Sequence, residues 1–488
     1  MLGAVRDRLY AVVLRFPALL ARLGLVDRRK GVEAFDLAIP VMVSGGFRTL
    51  LRVTDFFMVS LALGSAAVAG LELGFQYYFI GFGLALGLSS GTISVVSRFV
   101  GAGEDARADL AVKQSLWLAL GITLPLTLVT WFEAEAMIGL LTDAPRTIGL
   151  GGTYLRIVML SVSARFWSMI AARALQGAGD TRTPMYVRLL TIPVNIVLNA
   201  VLIFGVGAVP ALGVAGAAWG TTIANTLAGV IFFVLLVSGR YAVRLRLGGT
   251  QWATDIAREV IRVGYPLAGL QLIRTFGRFP FLFVLASLGT PVVAAYAIAR
   301  RIMLVAMMPA WGYSTASSTL VGQHVGAGDA AEADEYGWQT LRIALPTQVL
   351  IGGVLALLAR PIALAFATDT PGLTVAFVRV FGLGVVAYSV SRTMRGGLRG
   401  AGDTRWPLYG TLLGTLVRLP IAALALPATL TLTVASRSFA PGLGLGLVAV
   451  YAAMLADFYL RAGINLFRFW TGKWKTIAAR SGVGAGGD

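Results

Sequence analysis

Twelve apolar stretches follow one another from Phe35 to Phe469, separated by short breaks rich in glycine, proline and charge. Each is long enough to cross a bilayer as a helix, which takes about 20 residues. Lipid offers the backbone no hydrogen bonds, so a crossing segment must be a helix or a strand of a closed barrel. Barrel strands of about 10 alternating residues do not describe these runs. The expected spans are 35–62, 67–97, 108–132, 150–174, 184–206 and 212–238, then 258–288, 291–320, 337–359, 373–397, 407–428 and 443–469. The first, second, seventh and eighth exceed the hydrocarbon thickness, which predicts tilt or projection into water. A soluble chain of this length would make about three domains. Composition excludes that reading: 57% of the 488 residues are hydrophobic, 13% are charged, and mean hydropathy is +0.79.

The few charges are strongly biased, with 41 Lys+Arg against 23 Asp+Glu and a net charge of +18. Their positions explain the excess. With a cytoplasmic N-terminus, the inner loops hold Arg98 and Arg107, Arg173 and Arg182, Arg240 to Arg258, and Arg392 to Arg405, and the tail adds Arg468 to Arg480. The outer loops hold only Arg146, Arg360 and Arg437. An even number of spans with both termini inside satisfies the positive-inside bias. The first thirty residues carry Arg6, Arg8, Arg15, Arg22, Arg28, Arg29 and Lys30 between apolar positions, as a basic amphipathic segment on a membrane surface does. They lack the features of a cleavable signal peptide. The expected organisation is a basic segment 1–34, an N-lobe 35–238, a cytoplasmic linker 239–257, a C-lobe 258–470 and a tail 471–488, in the cell membrane. Because the basic residues lie beside spans, nucleic acid is not an expected partner. With Cys 0 and His 1, neither a disulfide nor a Cys/His zinc site can form.

The two lobes repeat one another. Ala174 to Tyr186 reads ALQGAGDTRTPMY and Gly397 to Tyr409 reads GLRGAGDTRWPLY, in register at a shift of about 223 positions. SRFVGAGED from Ser97 matches GQHVGAGDA from Gly322, and Pro40, Arg48, Thr49 and Arg52 recur as Pro266, Arg274, Thr275 and Arg278. Six spans per repeat is an even number, so both halves share one topology. They relate by a pseudo-two-fold axis along the membrane normal, a transporter architecture. In each GAGD loop the glycines (Gly177 and Gly179, Gly400 and Gly402) permit a tight turn. Asp180 and Asp403 can cap the next helix, and Pro184 and Pro407 suit its first turn. These loops read as hinges and caps. No GxxxxGK[ST] occurs, so ATP is not the expected energy source, and no nucleophile, base and acid constellation points to an enzyme.

The pattern GAGDTR-x-P, with Asn195 and Asn199, IFG at Ile203 to Gly205, LGVAGAA at Leu212 to Ala218 and SRFVGAGE, resembles the multidrug and toxic compound extrusion (MATE) transporters over roughly residues 35 to 470. The resemblance implies an all-α integral membrane protein of twelve helices in two six-helix lobes around a V-shaped cavity. It also implies export of small amphipathic compounds in exchange for H+ or Na+, with no other cofactor and a monomer as the working form. A lipid-linked saccharide flippase of the same superfamily is the alternative.

Ionisable residues at membrane depth are costly and default to function. Arg48, Arg52 and Asp55 share one face of the first span at spacings of four and three, so Arg52 can pair with Asp55. The repeat keeps the arginines but is apolar where Asp55 should recur, near Pro280 and Phe281. That break favours a coupling role over a purely structural pair. By resemblance, Asp55 matches the acid of an N-lobe cation site, with Asn195, Asn199 and Thr221 as its polar companions and Na+ or H+ as the ion. Asn199 departs from relatives that have a second aspartate there. Arg274 and Tyr388 stand where the acids of a sodium-coupled C-lobe would be. Arg48, Arg52, Arg274 and Arg278, with Arg165, Arg300, Arg301 and Arg418, also support two readings: attraction of anionic or zwitterionic cargo, or snorkelling and pairing with acids such as Glu72 and Asp457.

Overall fold

The helical expectation holds in a computed structural model, which describes residues 15–207, 209–366, 370–430, 432–434 and 437–480. At 49–50, 52–57, 59–69, 72, 75–76, 79–82, 432–434, 437–439 and 478–480 it describes the backbone alone. The order is α1 (Arg15–Arg22), α2 (Arg28–Gly101), α3 (Asp105–Gly139), α4 (Pro145–Met159), α5 (Val162–Gly177), α6 (Arg182–Phe204) and α7 (Val214–Val237). Then come α8 (Thr254–Phe276), α9 (Arg278–Ser287), α10 (Thr290–Ala306), α11 (Met308–Gly326), α12 (Ala330–Leu357), α13 (Ala359–Ala365), α14 (Pro371–Gly400), α15 (Arg405–Ala423), α16 (Gly446–Trp470) and α17 (Trp474–Arg480).

Among the described residues nine spans are long and apolar enough to cross a membrane, two of them bent pairs: α4 with α5 at 48° and α10 with α11 at 40°. Breaks of this kind are where transporter helices expose backbone to a ligand. The expected seventh and eleventh spans are helices too, but Arg274 and Arg278 lie in one and Arg418 in the other, which lowers their apolarity.

One expectation needs correction. The first and second spans are one continuous helix, α2, with no turn between 62 and 67. Gly64 stands there with no proline after it. At the matching place in the second half Gly289 has φ +114 and Pro291 follows, so the chain does stop, between α9 and α10. Between α15 and α16, β1 (Leu432–Val434) and β2 (Arg437–Phe439) form a short antiparallel hairpin with Leu432 opposite Phe439, within an otherwise all-α fold.

The chain forms two compact units. The C-lobe unit comprises Met1–Met42 and Gly269–Gly486, and the N-lobe unit Val43–Ala268. Both boundaries fall inside the first and seventh spans rather than in the loops before them. In the C-lobe unit a core around Phe281, Tyr296, Phe377, Phe381 and Val450 joins α9, α10, α14 and α16. A second core joins Leu20 of α1 and Phe35 of α2 to Tyr313, Tyr336 and Ile343. In the N-lobe unit α6 packs on α7, and α7 on α4 and α5. Much of the inter-lobe linker is fastened to α3 there. Asp109 accepts from the Arg244 amide at 2.7 Å and Arg246 Nε at 2.9 Å. Lys113 Nζ donates to the carbonyls of Gly248 and Thr250, and Gln114 to that of Gln251.

Candidate functional site

In the N-lobe unit the fifth and sixth expected spans, α6 and α7, hold a buried neutral cluster. Asn195 Nδ2 donates to the Gly220 carbonyl at 3.2 Å, and Asn199 Nδ2 donates to Asn195 Oδ1 at 3.3 Å. The spacing of four residues puts both amides on one face of α6. Gly220 makes the approach sterically feasible, because a Cβ there would lie 2.0 Å from Asn199 Oδ1. Thr221 is the next residue of α7 and is half-buried, whereas its neighbour Thr222 turns away to bond the Ile157 carbonyl at 3.0 Å. Asn195, Asn199 and Gly220 are thus brought together, with Thr221 beside them.

The side chains of Asp55, Arg52 and Glu72 lie outside the described residues. On the same helix Met58 is buried in a cluster with Ile203 of α6 and Ala217 of α7. Arg48 is half-buried.

The C-lobe unit is charged where the N-lobe unit is neutral. Asp457, midway along α16, accepts from Arg461 Nε at 2.5 Å and from Arg418 of α15 at 3.4 Å. Arg461 also donates to Thr415 Oγ1 at 3.1 Å. Arg418 donates to the Gly277 carbonyl at 2.6 Å and lies 5.0 Å from the Phe281 ring. Gly277 separates α8 from α9, so Arg418 serves a carbonyl at a helix break, where the regular ladder does not. Gly414 admits the pair: a Cβ there would lie 2.5 Å from Asp457 Oδ1 and 2.7 Å from Arg461 Nε. On α14, Tyr388 accepts from Arg392 Nε at 2.8 Å and from Trp311 Nε1 at 2.9 Å. Arg274 has Arg461, Arg392, Tyr388 and Asp457 as its electrostatic neighbours. Arg278 does not join them. It is exposed and faces Arg300 and Tyr296. The i,i+4 spacing of Asp457 and Arg461 was a visible signal of this network, and Arg418 fulfils the expectation that an interior arginine pairs with Asp457.

The GAGD loops behave as caps and turns. Gly179 and Gly402 take φ +94 and +85, a region other residues avoid. Gly177 and Gly400 pack their helices against backbone: a Cβ would lie 2.9 Å from the Ile93 carbonyl oxygen and 2.4 Å from that of Ser318. Asp180 Oδ1 accepts from the amides of Arg182 and Thr183 at 3.0 and 2.9 Å. Asp403 accepts from the Trp406 amide and also from Arg468 Nε at 2.6 Å, a buried pair that the repeat does not duplicate. Burial pushes the Asp403 carboxyl up, while Arg468 pulls it back. Among the described residues no group of three or more His, Cys, Asp or Glu could hold a metal ion.

A family model described as MatE matches residues 40–201 and 266–424, once in each half. A probable multidrug resistance protein NorM of Thermotoga maritima is 28% identical over 451 residues, 91% of this chain and 93% of the relative. An FAD transporter of Shewanella oneidensis is 26% identical, covering 71% of this chain and 77% of the relative. A crystal structure of MATE in the bent conformation superposes with a TM-score of 0.82 at 22% identity, covering 93% and 97% of the two chains.

Proposed function

The chain belongs to the MatE family, and from that membership we propose that it is a secondary active exporter of small amphipathic compounds, driven by a proton or sodium gradient through alternating access. The observation that carries this reading is the double match. One family pattern falls on both halves of a chain with many apolar helices, two of them bent, as in a transporter built from parallel repeats. The Thermotoga relative extends across nine-tenths of the chain and is named for multidrug resistance, which favours the exporter over the saccharide flippase. The Shewanella relative is named for FAD, so cargo differs among relatives at similar distance and has to be read from this chain's own residues. The exporter works as a monomer in the cell membrane, with both termini cytoplasmic and the GAGD loops on that side.

Coupling centres on Asp55, with Asn195, Asn199 and Thr221 as polar companions. Registry supports this: Asp55 lies three residues before Met58 and Asn199 four before Ile203, and Met58 and Ile203 share one cluster. Desolvation favours the protonated form of such an acid, and Arg52 favours the ionised form. Protonation or sodium binding from outside would release Arg52, shift the first span and weaken cargo contacts. The test is dye uptake into inverted vesicles under separately imposed proton and sodium gradients. Asp55→Asn is expected to lower gradient-driven uptake at least tenfold; undiminished uptake would sink the coupling role.

A further inference from the structure

We propose that the interior of the C-lobe unit is an anion site, in which Arg274, Arg392 and the Tyr388 hydroxyl take the carboxylate or phosphate group of the cargo. This rests on the exporter reading and gives its cargo a charge.

The charge count is the first argument. Arg274, Arg418 and Arg461 neighbour one described carboxylate, Asp457, and Arg392 neighbours Arg274 and bonds Tyr388. That carboxylate is already committed, one oxygen to Arg461 at 2.5 Å and the other to Arg418 at 3.4 Å. Both of those arginines are further held by Thr415 and by the Gly277 carbonyl. Among the described residues no acid forms an ion pair with Arg274 or Arg392. Unpaired charge inside a packed helical lobe is costly, so two such cations call for a counter-charge.

Donor geometry is the second argument. Arg274 Nε is buried and has no hydrogen-bond partner among the described residues. Arg274 lies in the last turn of α8, where the helix end supplies only about half a negative charge. The Tyr388 oxygen accepts from Arg392 and from Trp311, and neither partner can accept in return, so the phenol proton is left to donate. Two guanidinium groups and a hydroxyl donor match a carboxylate or phosphate group. Trp311, with Arg392 4.9 Å from its ring, offers an apolar face to the rest of an amphipathic molecule.

The test uses full-length protein in phosphatidylcholine nanodiscs, with carboxyfluorescein, a zwitterionic rhodamine and ethidium as probes and inorganic phosphate as competitor. Carboxyfluorescein is expected to bind at least tenfold more tightly than ethidium and to be displaced by phosphate. Arg274→Gln and Arg392→Gln are each expected to weaken it at least tenfold, while Arg274→Lys recovers part of the loss. Wild-type competition stands even if a glutamine variant fails to fold. Ethidium binding as tight as carboxyfluorescein, or unchanged affinity in folded glutamine variants, overturns the proposal. So does anion binding that phosphatidylglycerol in the discs abolishes, because the arginines then serve lipid headgroups. Export of ethidium from vesicles with no anion binding leaves the exporter reading intact and removes the anion site. Arginine-dependent anion binding with no export of any dye retains the site and removes the exporter.

Discussion

The two lobes share a scaffold and differ in the chemistry placed at one register. The shift of about 223 positions that aligns the GAGD loops sets Arg418 at the place of Asn195. In the N-lobe unit that place is a neutral amide bonded to Asn199 and the Gly220 carbonyl. In the C-lobe unit it is a guanidinium bonded to Asp457 and the Gly277 carbonyl. Each cluster depends on a glycine, Gly220 or Gly414, that leaves room for the polar group. Duplication has therefore kept what bends and caps the helices and changed what faces the interior. An amide pair can adjust to a small cation nearby; a carboxylate with each oxygen engaged by an arginine has none free for one.

The largest test of this contrast is the removal of Asp457. Asp457→Asn leaves Arg418 and Arg461 without their carboxylate. Breaking a buried pair in this way costs about 3–5 kcal/mol. Asn195→Ala removes neutral hydrogen bonds only, at about 1–3 kcal/mol. Thermal unfolding in one detergent should rank Asp457→Asn well below Asn195→Ala. Equal melting temperatures would mean that the C-lobe network is not what holds α15 to α16.

Glycine substitutions sharpen the same comparison. Gly220→Ala forces Asn199 off the Gly220 carbonyl side of α7, and Gly414→Ala forces apart the Asp457–Arg461 pair. Overpacking of this kind costs about 1–3 kcal/mol, and the charged pair should suffer more. The expected order of melting temperature is wild type, then Gly220→Ala, then Gly414→Ala. A reversed order would make the N-lobe cluster the tighter of the two.

Much of this was legible in the chain because lipid and turn chemistry act locally. The spans, the repeat and the GAGD turns depend on apolar runs, on Gly179 and Gly402, and on Asp180 and Asp403 as caps. Asn195 and Asn199 were singled out by the family resemblance, and their four-residue spacing puts them on one face of α6. What could not be read depends on distant partners: Arg468 meeting Asp403, and Asp109 and Lys113 fastening the linker. The continuous α2 was missed for another reason. A lone Gly64 marks a turn weakly when no proline follows, and the prolonged helix satisfies its backbone equally well. The caps offer a test of the Asp403 difference. Asp180→Ala should cost about 1 kcal/mol, the usual value of a lost cap. Asp403→Ala should cost more because Arg468 is stranded, and Arg468→Ala should recover part of that loss in the double variant, measured by thermal unfolding.

The smallest expected effect concerns pH at the other duplicated loop. In the C-lobe unit Lys30 Nζ bonds Glu332 at 2.7 Å and also Glu335, in the first turns of α12 and before its apolar run. In the N-lobe unit the matching loop pairs Glu104 with Arg107 at 2.8 Å, and Arg107 reaches the exposed Asp255 only at 3.9 Å. The hydrogen bond from Lys30, against some desolvation, holds the Glu332 carboxyl below its usual range. Desolvation lowers the Lys30 ammonium, but its bonds to Glu332 and Glu335 raise it overall. A lowered carboxylate contributes stability above its unfolded value of about 4.3 and loses it as pH falls through the lowered value. A raised ammonium contributes below its unfolded value of about 10.4 and loses it as pH rises past the raised value. The tie is therefore complete across neutral pH and weakens only below about pH 4 on the acid side. Hydrogen exchange after brief acidification should increase at 28–33 and 330–336 and change less at 101–107. Lys30→Gln should abolish that difference between the two loops; if it persists in the variant, another group carries the acid sensitivity of the C-lobe loop.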